Sequence, residues 1–74
     1  MRTYIQPFTY VEDHWIIEGN SGFARVQNEA PAAALVRAVN FMYGYGQVVV
    51  QVITLPNPAR PDCPNFAFLY QAAS

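Results

Sequence analysis

The chain has 74 residues, of which 53% are apolar types and only 12% are charged. That length holds one small domain, 1–74, with no second lobe to close a cleft, and the composition is the opposite of the mixture that keeps a chain disordered. The net charge of -1, from four arginines against five carboxylates, provides no positive field to gather a polyanion, so unspecific binding of DNA or RNA is disfavoured.

From Thr3 to Val11 the rings of Tyr4, Phe8 and Tyr10 fall on alternate positions with Gln6, a period of two that predicts a first strand. Pro7 lacks a ladder donor, which places that strand at the sheet edge. Glu12-Asp13 breaks the pattern and His14 to Glu18 resumes it, so a hairpin is expected. Gly19-Asn20-Ser21-Gly22 has turn composition, and Phe23 to Gln27 alternates again as a third antiparallel strand. Asn28 suits an N-cap, with Glu29 and Pro31 in the first turn, and the helix runs from near Glu29 to near Tyr43. Its apolar face reads Ala32, Leu35, Val36, Val39, Met42 and Tyr43, which leaves Phe41 on the opposite side with Arg37 and in need of cover; Gly44 and Gly46 supply left-handed stops.

Gln47 to Leu55, QVVVQVITL, is β-branched on both faces and predicts a central strand. The prolines at 56, 58, 61 and 64 then make an extended surface loop, and Asn65 to Gln71 alternates Phe66, Phe68 and Tyr70 as the last strand. The expected architecture is α+β, β-β-β-α-β-β, with one mainly antiparallel sheet and a single helix on one face. Because one helix covers one face, alternate strand positions on the other are expected to expose Tyr or Phe, a surface suited to a partner or to a second copy in a homodimer.

Chemistry-bearing residues are sparse. Glu12, Asp13, His14 and distant Cys63 fall short of a metal-ligand set and read as a solvated turn, so neither metal nor cofactor is expected. Cys63 between Asp62 and Pro64 has an adjacent carboxylate that works against a thiolate nucleophile. Glu18 and Glu29 fit a strand end and a helix first turn better than an acid-base pair. Glycines that leave a helix or lead into a strand build no phosphate cradle. Ser21 to Gln27 echoes an RNA-recognition strand, but Ser21 stands where a basic residue belongs and Arg25 replaces the second aromatic. A single-stranded nucleic-acid binder is therefore the alternative rather than the main reading. The lone Cys63 forms no internal disulfide, no run approaches about eighteen apolar residues, and the N-terminus lacks a signal-peptide core, so a cytoplasmic protein is expected.

The layout of an aromatic strand at His14 to Glu18, a glycine turn, a short strand with an arginine at Phe23 to Gln27 and an alanine-rich helix opened by Pro31 and closed by Met42-Tyr43-Gly44 resembles small phage-encoded anti-CRISPR proteins directed at type I systems, over about residues 14–55. The resemblance implies a non-enzymatic inhibitor that sterically blocks a Cas effector subunit in the host cell. The residues expected to anchor such a partner are Trp15, Phe41, Tyr45 and Arg37, with Arg25 and Arg60 pairing its acidic groups.

Overall fold

A computed structural model describes residues 2–72, so the extreme ends of the expected 1–74 unit lie outside the described residues. The elements are β1 (Thr3–Val11), β2 (His14–Ile17), α1 (Pro31–Gly44), β3 (Gln47–Leu55) and β4 (Asn65–Ala72). The strands form one antiparallel sheet in the order β2-β1-β4-β3, with the helix on one face. Among the described residues the fold is thus α+β with one sheet and one helix, with four strands where five were expected.

The period-two aromatics set the register. Phe8 lies opposite Phe66 on one side and Ile17 on the other, Tyr10 opposite Trp15, Gln6 opposite Phe68 and Tyr4 opposite Tyr70. Directly opposed residues share a face, so all these rings point to the helix side. There Phe8 stacks on Trp15 at 5.0 Å and on Phe68 at 5.2 Å, and Trp15 meets Phe66 at 5.6 Å. Against this bulky sheet surface α1 buries the small Ala34 and Ala38 together with Met42, and Leu35 and Val39 pack at the margin of the same core. That phase differs from the expected apolar face: Val36 and Tyr43 stand in solvent, while Phe41 is half-buried. Burying Phe8, Trp15, Phe68 and Met42, each under 2% exposed, stabilises the fold by about 1.5–3 kcal/mol apiece before ordering entropy is subtracted.

Two strand positions are the reverse of expectation. β1 is interior despite Pro7, because β2 ends at Ile17 and the side of Pro7 that lacks a donor faces the end of that short strand. The Glu18 N–H still donates to Pro7 O at 3.3 Å, and the reciprocal bond is supplied by the Gln6 side chain, whose Nε2 donates to Glu18 O at 2.7 Å. β3 is an edge strand, not a central one. Its apolar residues face α1 on one side and the bare face of the sheet on the other, so β-branching on both faces marks an uncovered surface rather than a central position. Its pairing with β4 shifts register between Val49 and Gln51, leaving Val50 without a partner, as in a β-bulge.

The expected third strand does not form. Residues 21–27 bow away from β2, held by an isolated bridge between Ile17 and Asn20 and by Asn28 N–H donating to Asp13 O at 2.7 Å. The cause is Phe23, which leaves the alternating pattern to fill the core between Phe8 and Phe41. The helix also starts later than its cap residues suggest: Ala30 is the N-cap, without a side-chain cap, and Pro31 is the first helical residue. Asn28 is left-handed, at φ 55, and accepts from the Tyr10 hydroxyl instead. At the other end the Tyr45 and Gly46 amides close the last turn on Met42 and Tyr43; Gly46 is left-handed as anticipated, whereas Gly44 is not a stop but the last helical residue.

The face away from the helix holds the odd-numbered residues of β1 and β4, among them Ile5 opposite Leu69 and Pro7 opposite Ala67, with Ile53 and Leu55 beside them on β3. Ala67 is buried yet belongs to no part of the helix-side core, and Ile5 is 67% exposed on an interior strand. The exposed rings expected here are absent; this face is mainly aliphatic, with Thr3, Thr9, Gln51 and Gln71 as its polar members.

Candidate functional site

A ladder of rings climbs from the core to the surface at the C-terminal end of α1. Phe8 meets the edge of Phe23 at 5.8 Å, Phe23 the edge of Phe41 at 5.3 Å, and Phe41 lies tilted on Tyr45 at 5.1 Å. Edge-on contacts between centroids 4.5–7 Å apart suit the aromatic quadrupole. The last rung, Tyr45, is 64% exposed, and neighbouring Tyr43 is 69% exposed. The turn ahead of Phe23 closes on this ladder: a Cβ at Gly22 would lie 3.7 Å from Tyr45 Oη and 3.8 Å from Phe41 Cζ. The Asn20 side chain shapes the turn by accepting from the Gly22 N–H at 3.0 Å.

Arg37 locks the ladder from the side. Its guanidinium lies 3.8 Å above the Phe23 ring and takes the Glu29 carboxylate through both Nε and Nη2, the shortest bond being 2.8 Å. The planar fork allows both contacts at once. Glu29 is in turn tied to the sheet, because its carbonyl accepts from the Trp15 indole N–H at 3.0 Å. Trp15, Glu29, Arg37, Phe23, Phe41 and Tyr45 thus form one connected unit.

This arrangement sorts the expected partner contacts. Trp15 is 1% exposed and is a core residue, its ring packed within the sheet's aromatic layer. Arg37 spends its hydrogen bonds on Glu29. Phe41 is half-buried against Phe23 and so supports the surface from beneath, whereas Tyr45 presents it. Arg25 is exposed and makes no hydrogen bond or ion pair among the described residues. It lines an open groove of about 590 Å³ with Trp15, Ile17, Glu18, Ser21 and Phe23. Arg60 sits apart, at the hairpin end, donating to Glu12 O at 3.2 Å with its guanidinium 5.2 Å from the Tyr10 ring centre. Glu29 carries no sequence mark of its pairing with Arg37, since its position reads as a helix first turn.

His14 is buried and its Nδ1 lies 3.3 Å from Asp13 Oδ1, a local pair within the hairpin. Among the described residues no group of three or more His, Cys, Asp or Glu side chains is placed to hold a metal ion, and no helix is long and apolar enough to cross a membrane. The segment that echoes an RNA-recognition strand is irregular, and the ring of Phe23 is buried, so it gives a base no platform to stack on.

Comparison with protein-family models, curated proteins and solved structures finds no match.

Proposed function

We propose that this chain is a non-enzymatic binding protein that blocks another protein by covering part of its surface, with Tyr45 and Tyr43 as the principal contacts. The observation that carries this reading is the ring ladder: Tyr45 is exposed while its rung below, Phe41, is packed against the core through Phe23. An aromatic held in place before binding loses little conformational freedom on contact, and Tyr is among the residues that concentrate interface energy. The like position of Arg37, stacked and paired, keeps its guanidinium edge fixed beside the same patch.

The resemblance of residues 14–55 to anti-CRISPR proteins of type I systems makes a Cas effector subunit the partner to test first. Expression of the chain in a bacterium with active type I interference should restore plaque formation by a targeted phage, and tagged protein should retain one effector subunit in stoichiometric amount. Tyr45→Ala should weaken that complex by about 2 kcal/mol or more with an unchanged melting temperature. Interference left intact by the wild-type chain defeats the Cas reading. A complex indifferent to both Tyr45→Ala and Tyr43→Ala defeats the assignment of the surface.

A further inference from the structure

We propose that the open sheet face is an interface between two copies of this chain, packed face to face about a two-fold axis. The face is built from Ile5, Pro7, Ile16, Ile53, Leu55 and Leu69 around the small Ala67. Ile5 is the telling residue, a β-branched side chain two-thirds exposed on a strand that has neighbours on both sides.

Charge selects the occupant. β1, β3 and β4 contain no charged residue, and on β2 the only titratable side chain is the buried His14. A partner that recognised through charge would have to desolvate its ions here against nothing that pairs them. A second copy brings the same uncharged surface, in which Thr3, Thr9, Gln51 and Gln71 are the polar members among the aliphatic residues, so neither side leaves an ion unpaired. Area points the same way. Strands spaced by about 4.8 Å, of 9, 4, 9 and 8 residues rising about 3.3 Å each, give a footprint of roughly 480 Å² per copy. The pair would bury roughly 1,000 Å² before side-chain relief is added, which reaches the threshold of a specific interface. Closure follows from the helix. Because α1 already occupies the other face, a copy docked through the open face leaves no second apolar face to recruit a third, and the contact is isologous and closed. The two sheets would then lie about 10 Å apart with strands crossing near −30°.

Sedimentation equilibrium across the micromolar range tests this directly, and a dimer is the expected species. Ile5→Lys should raise its dissociation constant about a hundredfold or more, since two-fold symmetry places the new ammonium in the interface twice. Ile5→Thr, a β-branched replacement that keeps the strand, should raise it about tenfold, and circular dichroism confirms folding of both. Thr54→Pro removes an N–H on the side of β3 that points away from β4 and should leave the dimer intact. A wild-type monomer at the highest concentration overturns the proposal. So does a dimer that ignores both Ile5 variants, or one that Thr54→Pro alone disrupts, which would assign the contact to the strand edge.

Discussion

At the scale of single residues, the bidentate Arg37–Glu29 pair is the contact most sensitive to change. The Glu29 side chain is only 9% exposed, so removing Arg37 strands a mostly buried carboxylate. Arg37→Met should cost about 2 kcal/mol in urea unfolding, and adding Glu29→Gln should recover most of that loss; equal costs for the single and double variants would show that Arg37 acts through its packing on Phe23 instead. Glu12 offers the opposite opportunity. It sits in the hairpin turn at φ 60, a region costly for its side chain, and its carbonyl contact with Arg60 is a backbone one. Glu12→Asn should therefore raise stability by roughly 0.5–1 kcal/mol, read as a higher melting temperature. What the sequence displays at this scale is residue type. Tyr45 and Arg25 are exposed. Trp15 has the composition of an interface anchor and the location of a core residue, because an indole is valued in both places and only its hydrogen bond to Glu29 O tells them apart.

At the scale of elements, β1 and its hairpin with β2 are legible because alternation of large rings with small or polar residues has one structural meaning. The bounds of β1 agree with the period-two run residue for residue. The interior position of β1 was hidden because Pro7 argues for an edge, and the argument fails only where a neighbour stops short and another donor steps in. If Gln6 fills that role, Gln6→Ala should destabilise the hairpin by about 1 kcal/mol in the Pro7 background and by little in a Pro7→Ala background, where the backbone donor is restored. Equal effects in both backgrounds would remove the compensating bond from the account. The segment 23–27 shows the limit of periodicity: its alternation is genuine, yet one buried ring, Phe23, is worth more in the core than a short ladder on β2. The helix phase fails for a related reason. Of the expected face, Met42 is buried and Leu35 and Val39 pack against the core, but Val36 and Tyr43 are exposed, and Ala34, expected on the far side, is buried against the sheet together with Ala38.

At the scale of the whole molecule, the helix divides the surface into two working regions. The ring ladder ends beside α1, and the aliphatic face lies on the far side of the sheet. Substitutions in one should therefore be silent in the other: Tyr45→Ala should leave self-association unchanged, and Ile5→Lys should leave hetero-complex affinity unchanged apart from any avidity the dimer adds. A double variant whose losses depart from additivity by more than about 0.5 kcal/mol would place the two functions on one surface. This partition was half visible beforehand. One helix against one sheet requires a bare face, but the composition of that face depends on register, and register emerges only when Phe8 is set opposite Phe66.

The run from Ala38 to Ala59 holds no charged side chain, and β3 lies within it as an unguarded edge. Once heat or a destabilising substitution loosens this strand from β4, nothing along QVVVQVITL repels an identical segment from a neighbouring molecule, and stacked cross-β fibrils are the natural end state. Thermal melting at high concentration should consequently be irreversible and accompanied by thioflavin fluorescence. A lysine at Val50, which the ladder leaves unpaired and solvent-facing, should act as a gatekeeper that restores reversibility with little change in the native fold.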